Sequence, residues 1–152
     1  MTEMGLEGRH LIIEVTESAL VENITAVNQI LTDLRGMGVK IHLDDFGVGY
    51  SSLSYLHQLP FDAIKIDRSF VKDMKIDAVH ANTIMAIQAM ASNRRMHVIA
   101  EGIETVEQLV QLQSLDCAMG QGFYLARPID AQAARVMLEA GIMPMSNRSA
   151  AA

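Results

Sequence analysis

The sequence predicts an α/β chain built on a parallel sheet, and three observations carry that reading. Short apolar runs alternate with longer stretches in which apolar residues recur at helical spacing. The alternation repeats as β-α along the chain, which implies parallel strands joined by right-handed crossovers. Each expected strand also closes on polar residues: Glu14, Asp44 with Asp45, Lys65 (near its end), Glu101 and Gln121. Polar groups gathered at the carboxyl ends of successive parallel strands are where barrels and open α/β sheets keep their chemistry.

The first strand is Leu11-Ile12-Ile13-Glu14-Val15, nearly continuous in apolar character, as expected of a strand covered on both faces. Leu20, Ile24, Val27, Leu31 and Leu34 follow at helical spacing, and Gly36 or Gly38 is expected to end that helix. The second strand enters Asp44-Asp45-Phe46-Gly47, and a short helix is expected around Ser52 to Gln58, stopped by Pro60. Phe61 to Asp67 forms the third strand, in which Ile64 and Ile66 share one face and Lys65 takes the other. The segment from Arg68 to Asn93 is helical in period. Met96 to Ala100 is the fourth strand, and Thr105 with Gln108 is spaced as a capping box for the helix that follows. Cys117 to Gly120 is the fifth strand. Asp130 then caps a last helix carrying Ala133, Val136, Met137 and Ala140.

Composition narrows the function classes. At 152 residues the chain can bury one sizeable core, and with half its residues hydrophobic it is globular in composition. A net charge of -6 argues against a nucleic acid polymer, since no basic stripe is present to release counterions. A small phosphorylated ligand remains compatible if metal ions supply the positive charge. One cysteine, Cys117, excludes an internal disulfide and fits a reducing, cytoplasmic compartment. No stretch approaches the ~20 apolar residues of a membrane span, and the amino terminus lacks the pattern of a signal peptide. The eleven methionines read as core filler. Neither a dinucleotide-binding glycine motif nor a nucleotide-triphosphate loop follows any strand. Ser51, Ser52 and Cys117 lack an evident histidine base.

The informative chemistry lies in two places. Asp44 and Asp45 put adjacent charges at the end of a buried strand, which is costly unless something compensates them. They read either as a divalent-metal site or as an N-cap and turn. Regular alternation sends them to opposite faces, so both serve one site only if the strand breaks, and Gly47 is where that break is expected. Lys65 between two isoleucines reads either as a functional buried charge or as an edge-strand lysine snorkelling to water. Glu104 also has a plain reading as an acid at the positive end of a helix.

Five ordered stretches resemble the EAL domain family, bacterial phosphodiesterases that hydrolyse cyclic di-GMP. They are Glu14-Val15-Thr16-Glu17-Ser18, Asp44 through Ser52, Leu59 through Val71, Ala100 through Thr105, and Gln121 through Pro128. The resemblance implies a partial (β/α)8 TIM-like barrel with about five parallel βα units, its first units missing. It divides the chain into a leader (1–10), the carboxyl-terminal part of an EAL-type barrel (11–140) and a flexible tail (141–152). The Glu-Ala-Leu stretch and the following metal-binding Asn of the family are not in the sequence, so Met1 is not expected to begin an intact domain. Val48 stands where the family usually has Thr.

By the same resemblance, Glu14, Asp44 and Asp45 are expected to ligate a pair of Mg2+ or Mn2+ ions. Lys65, Glu101 and Gln121 are expected in the catalytic machinery, Glu17 as the anchor of the Asp-Asp-Phe-Gly loop and Glu104 as a supporting acid. The implied reaction is two-metal-assisted attack of water on cyclic di-GMP, yielding linear pGpG, impaired in so short a chain. The alternative is an inactive module that binds the nucleotide or a protein partner. A part-barrel exposes two parallel sheet edges, so a homo-oligomer is also expected.

Overall fold

The computed structural model describes residues 5–20, 24–47, 56, 58–74 and 78–141. The loop after Gly47, most of the helix expected around Ser52 to Gln58, and the tail from Ser146 lie outside the described residues. The elements are β1 (Ile12–Thr16), α1 (Ile24–Gly36), β2 (Lys40–Phe46), β3 (Ala63–Ile66), α2 (Arg68–Asp73), α3 (Ala78–Ser92), β4 (His97–Ala100), α4 (Val106–Ser114), β5 (Met119–Gly120) and α5 (Ala131–Glu139). All five strands pair in parallel, as the β-α alternation predicts, and the sheet has them in the order β1-β2-β3-β4-β5.

This order puts β3 in the middle of the sheet, where all four of its residues are buried. Lys65 is therefore not an edge lysine. Ile41 and Leu43 of β2 and Ile64 and Ile66 of β3 are each at most 1% exposed. They join Leu31, Ile84, Ile87 and Leu112 from the helices in one core. Side chains at alternate positions take the opposite face, and this interior face carries the polar residues.

Three element boundaries differ from expectation. The segment from Arg68 to Asn93 is two helices. Asp67 caps the first by accepting the Ser69 N–H at 2.9 Å. The fifth strand is only Met119–Gly120, because the Cys117 N–H donates back to Leu112 O at 2.9 Å and finishes α4. Leu20 belongs to a 3-10 turn, Glu17–Leu20, ahead of α1. The last helix is capped by Asp130 as expected, yet it buries no residue, and Val136 is 59% and Leu138 72% exposed. Helical period identifies which side chains share a face and says nothing about whether a partner covers it.

α1 ends at Gly36. Gly38 at φ +86 turns the chain, and the Val39 N–H returns to Leu34 O at 3.2 Å. The capping box at Thr105 and Gln108 forms as predicted. At the amino-terminal end of the sheet, Asp62 accepts the Ile41 N–H at 3.0 Å and pairs with Arg35 at 3.2 Å and Lys40 at 3.4 Å.

Candidate active site

The site is built on an irregularity in β2. Its pairing with β3 runs His42 to Ala63 and Leu43 to Ile64, then jumps to Phe46 and Ile66. Asp44 and Asp45 occupy the jump, and Asp45 has φ 54, a left-handed conformation uncommon outside glycine. The bulge undoes the strict alternation that would have put the two carboxylates on opposite faces. The break lies at Asp45, two residues before the expected Gly47. Phe46 regains the ladder and is buried.

The bulge brings Asp44, Asp45 and Glu101 together, with one carboxylate oxygen from each within 4.8 Å of the others. Lys65 enters from β3 and is 4% exposed. Its Nζ lies 2.6 Å from Glu101 Oε1, 2.8 Å from Glu14 Oε1 and 3.1 Å from Asp44 Oδ1. The last is an ion pair without hydrogen-bond geometry, so Asp44 Oδ1 is a buried carboxylate oxygen with no directed donor among the described residues. Gln121, just past β5, donates from Nε2 to Glu101 Oε1 at 2.7 Å. The side chains come from β1, β2, β3 and the ends of β4 and β5, all at the carboxyl side of the sheet.

Charge in this site does not balance. Glu14, Asp44, Asp45 and Glu101 face one ammonium. Burial alone would lower the Lys65 pKa, but its close contacts with the Glu101, Glu14 and Asp44 carboxylates more than reverse that, and the amine stays protonated. Burial raises the Glu101 carboxyl above its ordinary value, with Lys65 opposing and the Asp44 and Glu14 charges adding to the rise. His42, on the same face, is held below its ordinary value by burial against the pull of Glu14 and Asp62. An excess of carboxylate in which the buried Asp44 Oδ1 accepts no hydrogen bond among the described residues is a chemical fit for hard divalent cations, which prefer oxygen ligands.

The remaining expected residues fall around this core. Glu17 is 7% exposed, and its Oε2 accepts the Gly47 N–H at 3.3 Å, the loop contact expected of it. Glu14 reaches Lys65 but does not join the three-carboxylate set. Glu104 is exposed and lines a cavity of about 440 Å³ with Arg68, Glu101, Gln121, Phe123 and Arg127. Its backbone N–H is held by Gln108 Oε1 at 2.8 Å. In the same cavity Arg127 stacks over the Phe123 ring, 4.8 Å from its centroid. Arg127, Phe123 and His42 were not singled out from sequence, since none sits at the end of a strand.

A parallel sheet with helices between its strands and with acidic and basic side chains at the strand ends defines an α/β protein of the TIM-barrel class. The EAL domain family model matches residues 2–128, and the chain belongs to that family. The cyclic di-GMP phosphodiesterase NbdA of Pseudomonas aeruginosa is 42% identical over 140 residues, 92% of this chain and 18% of NbdA. Among solved structures, the PaMucR phosphodiesterase in complex with c-di-GMP superposes with a TM-score of 0.82 at 43% identity. That match covers 88% of this chain and 54% of the other. BlrP1 of Klebsiella pneumoniae, with manganese and cyclic di-GMP, gives a TM-score of 0.79 at 35% identity, covering 84% and 32% of the two chains. The chain thus spans under a fifth of the curated relative and about half of the PaMucR chain. Among the described residues no helix is long and apolar enough to cross a membrane.

Proposed function

We propose that this chain carries the carboxyl-terminal part of a cyclic di-GMP phosphodiesterase site and acts in hydrolysis of the dinucleotide to linear pGpG. The single observation that supports this most is the convergence of Glu14, Asp44 and Glu101 on Lys65 above a cluster of three carboxylates. The relatives' own substrate, cyclic di-GMP, supports the choice of dinucleotide.

Asp44, Asp45 and Glu101 would hold Mg2+ or Mn2+, with Glu14 adding an oxygen from β1. Such cations, when bound, acidify water and neutralise charge developing on a phosphodiester. Glu101, oriented by Gln121, would accept the proton of the attacking water. Lys65 offsets charge on the phosphate and keeps the carboxylates from repelling one another apart. Glu17 holds the loop that carries Asp44 and Asp45, and Glu104 shapes the substrate cavity wall.

Turnover of the 152-residue chain is expected to be weak, because it supplies five βα units where a full barrel of this type has eight. The test is release of pGpG from cyclic di-GMP with Mg2+ or Mn2+, with Asp44→Asn as control. Turnover abolished by that substitution supports a working site. No turnover with retained nucleotide binding favours the second reading, a binding or self-associating module. That reading draws on exposed apolar residues at both sheet edges, Ile12 at 52% and Met119 at 45%. The cytoplasm is the compartment in which such a nucleotide hydrolase would work.

A further inference from the structure

Gly47 sits between two contacts of different kinds. Its N–H donates to the buried Glu17 carboxylate at 3.3 Å. On its other side lies the ring of Phe70, from α2: a Cβ placed on Gly47 would stand 2.7 Å from Phe70 Cε2 and 2.8 Å from Cζ. Both distances are below any that carbon neighbours adopt, so the ring occupies the space a side chain would need. Gly47 also has φ +101 and Asp45 φ +54, so two left-handed residues flank Phe46 within one turn of chain. Each such conformation costs free energy for most residues and persists where the surroundings enforce it.

Phe46 is fixed by its place in the core and by pairing with Ile66. Gly47, the next residue, leaves the ladder and is held instead by Glu17 and Phe70. Phe70 is itself backed by His80 of α3, ring to ring at 5.5 Å and 84°. From this we infer that Phe70 is a positioning residue: its ring wedges Gly47 against Glu17 and so holds the turn by which the chain leaves Asp44 and Asp45 of the three-carboxylate cluster. In its cation arm the inference rests on the reading of that cluster as a divalent-cation site. A Phe70 that merely fills the core would matter for stability and not for the loop.

The test uses the full chain with Phe70→Ala and Phe70→Leu. Amide hydrogen exchange reads the loop without any metal, and Mn2+ titration by calorimetry reads the cluster. Phe70→Ala is expected to speed exchange at the Gly47 amide by about tenfold or more, with the Ile41 amide unchanged, because local opening is separable from global unfolding. Mn2+ affinity is expected to fall on the order of 10–100-fold, as when supporting groups around a metal site are removed. Phe70→Leu, which keeps apolar bulk, is expected to recover most of both. Unchanged exchange at Gly47 in Phe70→Ala would overturn the inference, as would a uniform rise across β2. If wild type binds no Mn2+ while the Gly47 effect stands, the cation reading of the cluster fails and the wedge does not.

Discussion

Lys65 Nζ lies 2.6 Å from Glu101 Oε1, although one residue belongs to β3 and the other follows β4. The pair ties neighbouring strand ends on the interior face of the sheet, where Lys65 is also within 3.1 Å of Glu14 and Asp44. An ammonium in the central strand is thus the counter-charge for a group of carboxylates that would otherwise repel.

Replacing Lys65 by Met is expected to destabilise the metal-free chain by about 3 kcal/mol at pH 7, the usual cost of removing one partner from a buried charge pair. Burial opposes the Lys65 charge, but its contacts with three carboxylates raise the pKa, so its contribution is complete below the ordinary value of 10.5 and is lost only as pH rises through the raised one. Wild type therefore keeps it throughout the neutral range. The variant's deficit is expected to shrink toward pH ~5, as the abandoned carboxylates take up protons. Urea unfolding at the two pH values measures this, and an equal deficit at both would contradict it.

Glu101→Gln separates stability from function. Burial raises the Glu101 pKa with Lys65 only partly opposing, so its ionisation costs folded-state stability above that pKa. The metal-free variant is expected to be at least as stable as wild type at pH 7. Its turnover of cyclic di-GMP is expected to drop on the order of 10²–10³-fold. Thermal unfolding in chelator and a product assay check the two arms, and a clear loss of stability would count against the burial argument.

Asp62 belongs to the opposite end of the sheet and is predicted to act on folding alone. Burial would raise its pKa, but the Ile41 N–H and the Arg35 and Lys40 charges more than reverse that, leaving it below the ordinary carboxylate range. Its stabilisation is present above the unfolded value near 3.8 and disappears as pH falls through the depressed folded one. Asp62→Ala should cost about 1.5–3 kcal/mol at pH 7. The gap to wild type should close only in acid, as pH falls below 3.8 and through the depressed folded value. Denaturant titrations from pH 7 downward would reveal a gap that stayed constant.

Gly122 is a steric requirement of a different sort. A Cβ there would stand 2.2 Å from both the N and the O of Ile103, backbone atoms with no flexible side chain to yield. Gly122→Ala is expected to cost about 1–3 kcal/mol. It should also lower Mn2+ affinity, by moving the adjacent Gln121 off Glu101. Equilibrium unfolding and metal titration together would detect a substitution that was tolerated.

The open sheet edges lead to a prediction about assembly. Ile12 on β1 and Met119 on β5 are exposed, and α5 leaves Val136 and Leu138 uncovered. Parallel edges of this kind are normally paired or covered. The 152-residue chain is expected to be a dimer or larger in multi-angle light scattering, with a melting temperature that rises with concentration. A monodisperse monomer at high concentration would rule this out.

The order of elements along the chain, the helix faces and the residues at the strand ends were legible in the sequence, because alternation, helical period and burial of apolar runs are local properties. Lys65 stood out as a charge between isoleucines, and the Thr105 and Gln108 capping box could be read from spacing alone. What local pattern could not supply was which atoms meet. The left-handed turn at Asp45 depends on the pairing of β2 with β3, and that pairing brings Asp45 to Asp44 and Glu101. The weight of Glu17 and Phe70 on Gly47 joins segments distant in the chain. The sequence by itself determined the α/β alternation, the family and the stock of carboxylates at the strand ends. Only the tertiary structure decided that those carboxylates converge on one lysine, because convergence depends on strand register and a bulge, and both are set by contacts between strands.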